Sequence, residues 1–110
     1  MSLPHASSGD LINARPLGEH LKESVSTALI KTSHLEIMRL VLPTGKSMPE
    51  HKVAGEVTIL CIEGVIELQA HHKTQILLPG DMVYLAGGEP HALRAREDAS
   101  VMLTILLHQA

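Results

Sequence analysis

Aromatic side chains are almost missing from this sequence: Tyr84 stands alone, with no Trp and no Phe in 110 residues. Binding single strands by stacking bases needs a set of such rings, so that mode of recognition has no platform here. Cysteine is nearly absent too. A single thiol, Cys61, rules out an intrachain disulfide. It lies inside the apolar run Ile59-Leu60-Cys61-Ile62, where it reads as a small buried hydrophobe and not a nucleophile. A lone reduced thiol fits cytoplasmic surroundings. No basic stripe exists: nine Lys and Arg face twelve Asp and Glu, for a formal net charge of −3. Nucleic acid and anionic membrane surfaces are therefore excluded as expected partners. No apolar run approaches the roughly 18–20 residues of a membrane-spanning helix. The first ten residues also lack the basic-then-apolar order of a secretory signal.

What is present is aliphatic. The hydrophobic fraction of 45% supplies one core for one domain, built from Val, Ile, Leu, Met and Ala. Residues 1–24 read as an N-terminal tail and lead-in. The part up to about Asp10 has no pattern; the rest is broken by Pro16 and Gly18, with Leu17, His20 and Leu21 able to line one helical turn. Residues 25–110 read as the folded domain. Short apolar stretches alternate there with turn residues: 25–32, 35–42, 57–62, 65–70, 75–78, 82–85, 91–95 and 101–107. The punctuation is Pro43-Thr44-Gly45, Glu63-Gly64, His71-His72-Lys73, Pro79-Gly80-Asp81, Gly87-Gly88-Glu89-Pro90 and the polar run 96–100. Many short strands with no long helical period predict an all-β sandwich or barrel. Met38, Met48, Met82 and Met102 read as core fillers.

The segment from Gly45 to Ala95 carries a more specific pattern. Gly45 is followed by five residues and His51, and Gly64 closes that first stretch. In the second, Gly80 is followed by five residues, then Ala86, Gly87, Gly88, two residues and His91. This frame of glycines and flanking histidines resembles the two motifs of the cupin superfamily, and it covers about half the chain. The resemblance implies a double-stranded β-helix, the jelly-roll barrel of RmlC-like cupins. It implies a divalent metal of the Fe, Mn, Ni or Zn kind on inward-facing ligands, and commonly a homodimer. The departures matter: Val53 and Val57 stand where the motif has a second His and a Glu, Ala86 where it has Pro, and Ala95 where it has Asn.

Two ligand positions are thus filled, by His51 and His91, and the remaining positions imply a drier pocket lined by Val53, Val57 and Ala95. Two neutral nitrogens hold a first-row metal weakly, since such sites usually take three or four protein ligands. Glu56 lies one residue before the vacant Glu position. If a bulge at Gly55 turned it inward, His51, Glu56 and His91 would form a two-His-one-carboxylate set; the ordinary register leaves it facing solvent, as for Glu50. His34, His71 and His72 read as turn residues in solvent, and His5, His20 and His108 have no assigned role. The expectation is a small-molecule-binding domain with weak or conditional metal binding. The alternatives are a metal-dependent dioxygenase or isomerase with a non-standard third ligand, and a non-catalytic sensor or interaction module. The last strand, apolar on both faces, favours a homodimer, because one barrel interior covers only one of them.

Overall fold

The computed structural model describes residues 5–107. One short 3₁₀ helix, Gly18–Glu23, precedes seven strands: β1 Thr27–Lys31, β2 Leu35–Leu42, β3 Ser47–His51, β4 Val57–Ala70, β5 Lys73–Leu77, β6 Met82–Leu85 and β7 His91–Leu106. Every pairing is antiparallel, in the order β1-β2-β7-β4-β5, with β3 also on β7 and β6 also on β4. Two long strands, β4 and β7, therefore form the spine. Each is flanked along its outer edge by two shorter strands: β2 then β3 beside β7, and β6 then β5 beside β4.

The spine differs from the sequence expectation in one respect. Glu63-Gly64 and residues 96–100 read as hairpin turns, yet both lie inside continuous strands. The β4–β7 ladder slips at Cys61/Glu63, Glu63/Val65 and Val65/Ile66, so these are bulges that bend the paired strands and fold the sheet into a barrel. Burial records the insertion. Val57, Ile59 and Cys61 point inward before the bulge, and Ile66 and Leu68 after it, a change from odd to even positions. Gly64 takes a positive φ of +81° at the bend, a conformation that tight turns and bulges alike often place on a glycine. The backbone at the bend is also satisfied: the Cys61 amide donates to the Asp81 carbonyl and its carbonyl accepts from Gly80, both at 2.9 Å. The Cys61 side chain is fully buried, and its thiol lies 3.5 and 3.7 Å from the carbonyls of Glu63 and Gly64. Burial, then the Asp81 charge, raises its pKa, as expected of an inert core thiol.

The remaining turns match their chemistry. His71 and His72 both take positive φ, 52° and 59°, which is the type I′ geometry of a two-residue β-hairpin loop. The interior is aliphatic, centred on Ile59, Ile66, Leu68, Leu93, Val101 and Leu103. Met38 and Met48 pack against it, but Met82 is 60% exposed on the outer face, a correction to its reading as core. Met102 lies opposite Arg39 on β2 and Leu60 on β4, and it shares their outer face.

The lead-in is fastened to the barrel. Arg39, almost fully buried on β2, donates to the carbonyls of Arg15 at 2.7 Å and Asn13 at 2.8 Å. The Glu63 carboxylate accepts from the amides of Leu17 and Gly18 at 2.8 and 3.0 Å, and from the Ser100 hydroxyl. Leu21, on the short helix, is buried. Residues 5–10 touch the barrel as well, through the Ala6 amide on the Leu29 carbonyl at 2.9 Å. Among the described residues no helix is long and apolar enough to cross a membrane. Of the terminal histidines, His108 lies outside the described residues, while His5 and His20 are exposed.

Candidate functional site at the barrel mouth

Directly opposed residues in an antiparallel pair project from the same face of a sheet, and that rule assembles the site. His51 on β3 pairs with His91 on β7, His91 pairs with Ala70 on β4, and Ala70 pairs with Lys73 on β5. Leu93 and Leu68, two residues further in along β7 and β4, are core residues, so this face is the barrel interior and the row is its rim. The next row inward is Met48, Leu93, Leu68 and Gln75. Ala95, Ile66 and Leu77 follow, all buried. Polarity is thus confined to the rim and to the edge strand β5.

The two histidines meet. Their ring centroids are 4.5 Å apart with planes inclined at 56°. His91 is 2% exposed, whereas His51 is open to solvent. His91 Nδ1 lies 3.0 Å from the Glu89 carbonyl and His51 Nδ1 lies 3.2 Å from the Pro49 carbonyl. A carbonyl only accepts, so in each neutral ring Nδ1 carries the proton and Nε2 presents its lone pair. A metal-binding histidine is commonly oriented in this way. No buried side-chain nitrogen or oxygen among the described residues lacks a partner. The Nε2 of His91 therefore belongs to the small part of that ring which solvent reaches.

Other sequence candidates fall elsewhere. The Glu56 carboxylate accepts a hydrogen bond from the exposed Tyr84 hydroxyl on β6. The bend at Ala54-Gly55 leaves Glu56 exposed instead of turning it towards the histidines. Among the described residues no group of three or more His, Cys, Asp or Glu side chains is placed to hold a metal ion. The set His51, Glu56 and His91 is therefore not assembled. Val57 and Ala95, expected to line the pocket, are 3% and 1% exposed within the aliphatic core. Val53 is half-buried against that core, and its carbonyl accepts from the Gly88 amide at 2.8 Å. Here the loop before β4 crosses the loop before β7. A Cβ on Gly87 would lie 2.3 Å from the Ala54 carbonyl oxygen, which is why a glycine is required at the crossing. Glu50 and His34 are exposed, as expected.

Two spaces adjoin the rim. An outer cleft of about 400 Å³ is lined by Glu50, Gln69, His71, Glu89 and their neighbours. One of its walls is fixed by Glu89, which accepts from the His71 amide at 3.2 Å and lies 3.3 Å from His71 Nδ1. An inner slot of about 130 Å³ lies between β5 and β6 over Leu68 and Leu85. Ala70, His71 and Lys73 line both spaces. The histidine pair was legible in the sequence as two motif positions; Lys73 was not, because only the register of β5 places it on the rim.

Comparison with known proteins agrees with this architecture. The family model described as Cupin domain matches residues 38–107. A conserved protein of unknown function from Streptococcus pyogenes superposes with a TM-score of 0.76 at 19% identity, over 100% of this chain and 97% of that one. A cupin superfamily protein from Desulfitobacterium hafniense gives 0.78 at 19% identity, over 94% and 100% of the two chains. An RmlC-like cupin from Desulfovibrio desulfuricans gives 0.70 at 23% identity, over 93% and 97%. No curated protein matches in sequence at a significant level.

Proposed function

Since this chain belongs to the cupin family, we propose that it is a small-molecule-binding cupin whose site is the barrel mouth at His51 and His91. A divalent transition metal is held there weakly or conditionally. One observation carries the reading: two imidazoles 4.5 Å apart whose Nδ1 atoms both lie against backbone carbonyls, leaving two Nε2 lone pairs unused. The donor set fits part of a first-row coordination shell. The other positions fall to water or to a bound ligand, which makes affinity low without the ligand and higher with it. A bound Fe, Mn, Ni or Zn ion would supply Lewis acidity at the mouth. The chain's own residues orient the imidazoles and keep water from the aliphatic interior beneath.

The test is calorimetric titration of untagged protein with Ni(II) and Zn(II), beside the variant carrying both His51→Ala and His91→Ala. The wild type should bind one ion per chain and the variant none, with the far-UV spectrum unchanged. Equal binding by both would place any metal elsewhere and end this reading.

The assembly is a homodimer in the same proposal. Leu60, Met82, Met102 and Leu106 lie on the outer face of the β6-β4-β7 sheet, with Met82 60% and Leu106 46% exposed. A second copy covering this face removes apolar surface from water. Light scattering should give twice the chain mass at micromolar concentration, and Met82→Glu should shift it towards the monomer. A monomeric wild type would refute the dimer.

A further inference from the structure

The inner slot differs in chemistry from the cleft outside it. Two carboxylates, Glu50 and Glu89, line the outer cleft. The slot has no carboxylate, and its one permanent cation is Lys73. Lys73 and Gln75 project from the inner face of β5, because their strand partners Ala70 and Leu68 do. Neither side chain has an ion pair or hydrogen bond among the described residues, whereas Lys22, Lys31 and Arg96 are each paired with a carboxylate. An exposed ammonium and an exposed amide therefore border an apolar floor, neither committed to a partner among the described residues.

The geometry points to a small hydroxycarboxylate as the ligand. We propose that Lys73, with Gln75, receives its carboxylate in the slot, while its hydroxyl reaches past Ala70 towards the histidine pair, which stands on the same rim row but lines neither space. This rests on the reading of His51 and His91 as the site. Lys73 and His91 flank Ala70 on opposite sides, so their backbones lie roughly 10 Å apart, two inter-strand spacings. The Ala70 methyl leaves the space between them open. A ligand lying over Ala70 meets a charge-assisted donor at one end. Beyond its other end stand the two imidazoles, whose Nε2 lone pairs would accept from a hydroxyl. The slot's 130 Å³ equals about four water volumes. That suits the carboxylate end of a short-chain acid. Carboxylates in the outer cleft repel an anion that stops short, which favours the inner position.

The experiment uses full-length protein freed of metal with a chelator and followed by amide NMR during titration with lactate, lactamide and propanoate. Lactate should move the amides of Ala70, Lys73, Gln75 and Leu85. Lactamide, of the same shape but uncharged, should bind about tenfold more weakly or worse, the loss expected for one charge-assisted hydrogen bond. Lys73→Met should abolish that preference and Lys73→Arg should keep it. Propanoate, without the hydroxyl, should bind more weakly than lactate to the wild type but equally well to the His51→Ala/His91→Ala variant. Failure of this last comparison alone would remove the histidine contact and leave the Lys73 anion site standing. If lactate and lactamide bind alike, if Lys73→Met keeps wild-type preference, or if the shifts map to another surface, the Lys73 assignment is overturned.

Discussion

Replacing Glu63 by Gln removes one charge from the knot that ties the lead-in to the barrel and leaves its shape intact. Burial alone would raise this carboxyl's pKa. The Ser100 hydroxyl, the Leu17 and Gly18 amides and the Arg39 charge outweigh burial and hold it below its ordinary value of 4.5. Each hydrogen bond to a charged acceptor is worth about 1.5–3 kcal/mol when buried. The Gln side chain keeps one acceptor oxygen, and the site is only half-buried, so the expected loss is about 2 kcal/mol at pH 7, or roughly 10 °C in Tm for a domain of this size. A depressed folded-state pKa stabilises the protein fully above the unfolded value, and that contribution is lost as pH falls through the folded one. Urea unfolding from pH 7 to pH 3 should therefore show a gap between wild type and Glu63→Gln. The gap should stay constant down to about pH 5 and close below 4.5. Asp98, whose pKa is also lowered, by the Thr44 amide and hydroxyl, contributes to both proteins and cancels in the difference. Ser100→Ala should cost less in the Glu63→Gln background than in the wild type, since the two side chains share one bond. A gap that persists unchanged at pH 3, or one under about 0.5 kcal/mol at pH 7, would refute the account.

Further substitutions probe the bend and the vacant ligand positions. At Gly64 an added Cβ would sit 2.1 Å from the Asp98 carbonyl oxygen and 2.7 Å from Ala99, at a φ of +81°. Gly64→Ala should therefore cost about 3–5 kcal/mol or prevent folding, whereas Gly45→Ala, also at positive φ but with no atom within 4 Å, should cost about 1–2 kcal/mol; equal effects in thermal melts would show that the close approach is unimportant. Val57→Glu places a carboxylate in the aliphatic core and should destabilise by several kcal/mol. Joined to Val53→His, it restores the residue types that the cupin motif has at these two positions, so Ni(II) or Zn(II) should restore the melting temperature through binding to the native state. A metal-indifferent double variant would show that these positions do not reach the histidines.

The sequence by itself determined the fold class and brought His51 and His91 forward as a pair. Turn residues spaced among short aliphatic runs admit few architectures besides a barrel or sandwich. The glycine frame around His51 and His91 pointed to one of them through its resemblance to the cupin motifs, and positive φ at Gly64 and close backbone contact at Gly87 are why glycine stands at those two places. Cys61 was legible as inert for a similarly local reason, its place in an unbroken apolar run. Tertiary structure decided whatever depended on pairing. Whether Glu63-Gly64 turns or bulges is invisible locally, since a glycine at positive φ serves either; only the β4–β7 register shows the strand continuing. Glu56 faced outward because the chain bends at Ala54-Gly55 and Tyr84 offers it a partner from another strand. Arg39 and Glu63 gain their hydrogen bonds to the lead-in only through its folding over them. Lys73, an ordinary turn lysine in the sequence, became a rim residue only when β5 aligned it with Ala70. Local conformation follows from neighbouring residues, whereas the face a side chain occupies across a sheet follows from register, which long-range pairing alone sets.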